Sequence, residues 1–220
     1  MTIHNNMSRT ALWFRSLLLP DGWADGVRVV IVQGRIETLM KDTSAEAGDE
    51  VHEIGVPGLP NLHSHAFQRG MAGLTEQRGS TQDTFWTWRE AMYRFVDHMG
   101  PDEVEAIAAQ AFLEMLEGGF TRVGEFHYVH HDPSGVPYAN VAELATCIAA
   151  AAAQTGIALT LLPVFYIHAG FGGLPAAPGQ RRFINDVDGY GRLIEATRTA
   201  VSSLAGAVVG IAPHSLRAAT

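Results

Sequence analysis

Cysteine is nearly absent. Cys147 is the single thiol in 220 residues, so no internal disulfide can form, and the chain suits a reducing compartment, with the cytoplasm expected. Lysine is as scarce: Lys41 stands alone, and 15 − 1 = 14 of the basic residues are arginines. No run of basic residues occurs, and 15 Lys plus Arg against 23 Asp plus Glu leave a net charge of −8. That balance argues against binding nucleic acid through its phosphates and points to a small partner. Long apolar stretches are missing too, the best of them being broken by Pro163, His168 and glycines. No membrane span of ~20 residues is expected, and the start MTIHNNMSRT lacks the apolar core of a leader.

What is present is an ordinary globular composition, 47% hydrophobic and 17% charged, enough for a sizeable core. Because arginine makes planar two-point contacts with carboxylates, a site for an anionic substrate would here be built from arginine. Some binuclear hydrolases bridge two metals with a modified lysine on a barrel strand. Lys41 lies upstream of every candidate barrel strand, so a metal site here is expected to be mononuclear.

Two patterns divide the chain. Residues 1–56 carry VRVVIV and RIETLM around Gln33-Gly34, a hairpin signal within a small β-domain. Residues 57–220 alternate strand-like and helix-like runs, as βα units with a parallel sheet do. The strands expected are VPGLPNLHSH, TRVGEFHYV, ALTLLPVFY and AVVGIAPHS. The helices are PDEVEAIAAQAFLEMLEGG, VAELATCIAAAAAQ and a third from about Gly191 to Leu204. Four strands and three helices make half of an eight-stranded barrel, and 220 − 56 = 164 residues fall short of the ~250 of a whole one. The chain is therefore expected to be incomplete, with unpaired sheet edges and one uncovered apolar face; a self-contained four-stranded α/β domain is the alternative.

The chemistry concentrates in PGLPNLHSHAFQRG. His63 and His65 are two apart at a strand end, where side chains share a face and can reach one ion at the C-terminal mouth of a barrel. Zinc suits that geometry. His127, His130 and His131 cluster near the next strand end but fall on alternating faces or in the following loop, so shaping roles are expected of them. His168 opens a glycine-rich loop that could close over a substrate. His4, His52 and His98 read as surface residues, and no phosphate-binding loop or dinucleotide fingerprint occurs.

These motifs resemble the amidohydrolase superfamily, whose first barrel strand ends in PG…HxH after a β-sandwich built from both chain ends. More narrowly, PNLHSHAFQRGMAGLTE, TFWTWREAMYRF, EFHYVHHD, LLPVFYIHAGFGG, GQRRFIN and HSLRA resemble the formimidoylglutamate deiminases of histidine degradation. The resemblance implies an α/β fold, the first half of a (β/α)8 barrel of the metal-dependent hydrolase type, preceded by part of a β-sandwich. It implies hydrolysis of N-formimidoyl-L-glutamate to N-formyl-L-glutamate and ammonia, with one Zn2+, or Fe2+, activating water. His63 and His65 would be two ligands; the others and the acid/base residues would lie beyond Thr220.

For the two carboxylates of such a substrate the resemblance implies Gln68, Arg89, Tyr128, His214 and Arg217 as pocket residues. Other roles remain open: Arg89 could stack on Trp86 and Trp88, Tyr128 could be core, and His214 could be a structural hydrogen-bonding residue. A homodimer is expected at full length, and, with ligands missing, no activity is expected of these 220 residues alone. Two other functions stay in play, a zinc-dependent deaminase of a purine or other cyclic amidine, and a non-catalytic truncated chain. The two arginines discriminate, since a neutral base has no use for both.

Overall fold

A computed structural model describes residues 9–75 and 84–219. The chain divides into two compact units, the first ending at Gly58 and the second beginning at Leu59. No helix of the described residues is long and apolar enough to cross a membrane.

The first unit is a four-stranded sheet of β1 (Arg9–Leu19), β2 (Gly22–Val32), β3 (Arg35–Met40) and β4 (Glu50–Gly55), ordered β3-β2-β1-β4. Gln33 and Gly34 both have positive φ, 52° and 74°, which is why this pair joins β2 to β3 in a two-residue hairpin. The hairpin matches the sequence expectation, whereas β1 and β4 are strands that the β-rich runs did not single out. Strand β4 is short and its side chains are exposed up to Gly55, so it has no apolar alternation to betray it. It pairs in parallel with β1. One of the fourteen arginines is spent here on structure: Arg28 donates to both carboxylate oxygens of Asp49 at 2.8 Å, a two-point contact that offsets its burial.

The second unit is a parallel sheet of β5 (Leu59–Ser64), β6 (Phe120–His127), β7 (Ala158–Phe165), β8 (Val208–Val209) and β9 (Ala212–Pro213). Its order is β5-β6-β7-β8, with β9 also pairing with β7. Helices α2 (Pro101–Glu117), α3 (Glu143–Thr155) and α4 (Val187–Val201) connect successive strands, and α1 (Phe85–Val96) lies in the long β5-to-β6 connection. Helices α2 and α4 have a local reason to start. Pro101 opens α2 and the Glu103 carboxylate accepts the Gly100 N–H at 2.8 Å, while Asp186 caps α4 by accepting the Gly189 N–H at 2.6 Å. The Asp186 cap corrects the expected third helix, which begins at Val187 instead of about Gly191 and ends at Val201. The fourth expected strand is likewise two short pieces broken at Gly210-Ile211. At Gly210 a Cβ would stand 2.6 Å from the Leu162 side chain, so the backbone there crowds its neighbour.

Helices and sheet share a core of Val123, Leu159 and Leu161 against Phe112, Leu144 and Ile148, each at most 2% exposed. By contrast Leu62, Ile211 and Leu216 are 80%, 64% and 84% exposed, the uncovered apolar surface expected of an incomplete barrel. The contact between β5 and β6 depends on Gly124, where a Cβ would sit 2.9 Å from the Leu62 carbonyl oxygen. Backbone cannot yield as a side chain does. Gly124→Ala is therefore expected to cost about 1–3 kcal/mol, measured by denaturant unfolding, with no change of slope.

Candidate active site

Strand β5 delivers the two histidines through an irregularity. Its pairing with β6 shifts register between Asn61 and Ser64, and the Asn61 side chain accepts the His63 N–H at 3.1 Å. A bulge of this kind re-aims side chains. His65 lies just past the strand, at the mouth of a short 3-10 turn, Ala66–Met71. Both rings converge, with His63 Nε2 and His65 Nε2 3.0 Å apart.

The His65 tautomer is set by its other nitrogen. Nδ1 lies 2.9 Å from the Phe126 carbonyl oxygen, which can only accept, so Nδ1 carries the proton and the Nε2 of the neutral ring offers a lone pair toward His63. Burial, helped by the neighbouring His63, lowers the His65 pKa against the pull of that carbonyl. A neutral imidazole fixed from behind by a carbonyl is the arrangement metal-ligating histidines use. The pair therefore fits a divalent metal as two of its ligands. Among the described residues no group of three or more His, Cys, Asp and Glu could complete a site.

Around this pair lies a cleft of about 290 Å³, near the small end of the range for ligand sites and suited to an amino-acid-sized molecule. Gln68, Arg89, Tyr128, His214 and Arg217 all line it together with His63 and His65. Gln68 Nε2 donates to the Tyr128 hydroxyl at 3.0 Å. Tyr128 serves both roles left open for it: it is 5% exposed, its phenol is pushed well above the usual range by burial, and it walls the cleft. The His214 ring stands 4.6 Å from Tyr166, and burial with Arg217 nearby pushes its pKa down to about 4. It is neutral at pH 7. The Arg89 guanidinium lies 4.5 Å over the Trp86 ring, so aromatic stacking and cleft lining coexist. Among the described residues neither Arg89 nor Arg217 has a carboxylate within 4.0 Å.

Alternation along β6 explains which neighbours stay out. Phe126 faces the cleft, so Glu125 and His127 point to the other face. His130 and His131 are buried against the carbonyls of Val164 and Ile184, at 3.0 and 2.7 Å, in keeping with shaping roles. His52 and His98 are exposed, His168 is half-buried, and His4 lies outside the described residues. A larger open groove of about 690 Å³ between α2 and α3 is lined by Asp102, Glu105, Gln110 and Gln154. Among the described residues no histidine or arginine lines it.

Sequence reasoning missed Glu125, because a lone acid within a strand gives no sign of being 1% exposed. Its Oε1 accepts the Ala66 N–H at 2.7 Å, anchoring the turn that follows His65. Burial pushes its pKa up to about 8 despite the Ala66 hydrogen bond. The native state holds this proton to about pH 8 whereas an unfolded glutamate releases it near 4.5, so its contribution to stability is full below 4.5 and lost as pH rises through 8. In metal-free chain, Glu125→Gln is expected to raise Tm relative to wild type more at pH 8 than at pH 5, as thermal melts at both pH values will show.

Comparison with known proteins agrees with this geometry. Residues 54–220 match the amidohydrolase family, and the chain belongs to it. Residues 10–53 match the N-terminal domain of the formimidoylglutamate deiminase HutF. Over 212 residues the chain is 50% identical to the formimidoylglutamate deiminase of Pseudomonas aeruginosa, covering 96% of this chain and 47% of that protein. The crystal structure of an amidohydrolase from Brucella melitensis superposes with a TM-score of 0.93 at 55% identity, covering 96% and 47%. The fold is thus the N-terminal part of an amidohydrolase α/β barrel. A mutant atrazine chlorohydrolase of Arthrobacter aurescens TC1, solved with zinc and atraton, shares the fold at TM-score 0.66 and 18% identity, over 92% of this chain and 46% of that one. The chain spans about half the length of the relatives it matches.

Proposed function

We propose that this chain supplies the first half of the active site of a formimidoylglutamate deiminase, which converts N-formimidoyl-L-glutamate and water to N-formyl-L-glutamate and ammonia. The observation that carries the proposal is the meeting in one cleft of a pre-set histidine pair, with Nε2 atoms 3.0 Å apart, and two arginines that have no carboxylate partner among the described residues. His63 and His65 would hold the metal. When bound, a divalent ion such as Zn2+ supplies Lewis acidity and lowers the pKa of water toward ~7. Arg89 and Arg217 would clamp the two carboxylates, Gln68 and Tyr128 would donate hydrogen bonds, and neutral His214 would accept or donate one without competing charge. The remaining ligands and the acid/base groups would come from residues beyond Thr220.

Substrate comparison tests the assignment in a chain extended to the length of its relatives. Turnover of N-formimidoyl-L-glutamate with much weaker turnover of N-formimidoylglycine, which lacks the side-chain carboxylate, is expected. Equal rates on the two, or preference for a neutral purine, would remove the role assigned to the arginines.

A further inference from the structure

The GQRRFIN segment stands out in sequence, yet none of the roles above uses its second arginine. Four consecutive residues each hold a neighbouring segment, two of them through cleft-lining side chains, Tyr166 and Tyr128. Gln180 Nε2 donates to the Tyr166 hydroxyl at 2.6 Å, Arg181 pairs with Asp97 at 2.8 Å, and the Phe183 ring meets Tyr128 at 5.0 Å. Between them Arg182 is 0% exposed. Its Nε donates to the His131 carbonyl at 2.8 Å, and its Nη1 donates to the carbonyls of Met99, at 2.9 Å, and Val96. In return the Arg182 carbonyl accepts the N–H groups of His130 and His131 at 2.9 and 3.0 Å.

Val96 is the last residue of α1, so its carbonyl has no partner within the helix; it accepts the Met99 N–H at 3.2 Å as well as the Arg182 guanidinium, at the end of a helix where a cation is favoured. Arg182 thus binds the C-terminal end of α1 to the backbone that follows β6. Helix α1 carries Trp88, Arg89 and Tyr93 into the cleft. The approach is close, since a Cβ on Gly179 would lie 2.4 Å from the Tyr93 ring. A planar guanidinium can bridge carbonyls on two segments at once, which a lysine ammonium does poorly.

We propose that Arg182 is a positioning residue for substrate recognition, fixing the C-terminal end of α1 and thereby where Arg89 projects into the cleft. The proposal rests on Arg89 acting as a carboxylate clamp. Its test uses the full-length protein with Arg182→Lys and Arg182→Met, metal content being checked in each. Arg182→Lys is expected to raise KM for N-formimidoyl-L-glutamate about tenfold with metal retained, and to add less than about twofold in an Arg89→Ala background. Amides of residues 85–96 should exchange with deuterium about tenfold faster in both variants while those of 143–155 keep their rates. KM factors that multiply in the double variant, or unchanged exchange in α1, would overturn the role. A uniform rise in exchange would do the same, marking a general structural part. If the wild-type protein fails to turn over this substrate, the functional reading falls, and α1 exchange alone then judges Arg182. If Arg182→Met does not fold, the charge-retaining lysine variant carries the test.

Discussion

His65→Ala in the full-length protein is expected to lose metal and to lower kcat/KM for N-formimidoyl-L-glutamate by more than about 100-fold. Removing only an outer partner of a ligating histidine commonly costs 10- to 100-fold, and here the proposed ligand itself goes. The geometry makes His65 the more demanding of the pair. Its ring is held from behind by the Phe126 carbonyl at 2.9 Å, so one tautomer presents Nε2 and no substitute side chain inherits that restraint. Metal analysis after gel filtration, together with steady-state kinetics, checks both halves of the expectation. Excess Zn2+ should restore little, because the lost lone pair cannot be supplied by concentration alone.

The second large effect concerns the arginines. Arg217→Ala should raise KM about 10- to 150-fold while metal content stays unchanged, the range following from about 1.5–3 kcal/mol for a hydrogen bond to a charged group. Arg89→Ala should act in the same direction. Its loss also removes the stacking on Trp86, so a modest drop in the stability of α1 accompanies the kinetic change. Arg217→Lys keeps the charge but not the two-point geometry, and its KM should fall between wild type and alanine. Initial-rate kinetics across the three variants separates charge from shape.

Much of this site is legible in sequence because its parts are local. The two-residue spacing of His63 and His65 at a strand end follows from backbone periodicity, whereas Gln68, Arg89, Tyr128, His214 and Arg217 were implied by the family resemblance of their motifs. All seven candidate metal-binding and pocket residues line one cleft. What could not be read depends on partners far along the chain. Glu125 is held by Ala66, 59 residues away, and Arg182 by Val96, 86 residues away; a charged residue that is fully buried looks in sequence like one on the surface. The bulge between Asn61 and Ser64 was equally hidden, since plain alternation predicts two histidines on a regular strand. Element boundaries failed for a local reason instead: the helix expected from about Gly191 begins at Val187, because the Asp186 cap permits a helix to run through Gly189 and Gly191.

The most direct test measures metal content and ammonia release from N-formimidoyl-L-glutamate, for the 220-residue chain and for the chain extended to the length of its relatives. The expected result is about one metal ion per extended chain, with turnover, and neither in the shorter chain. Tight metal binding and ammonia release by the 220 residues alone would contradict the divided site, because the remaining ligands and the base would then have to lie among residues assigned structural roles.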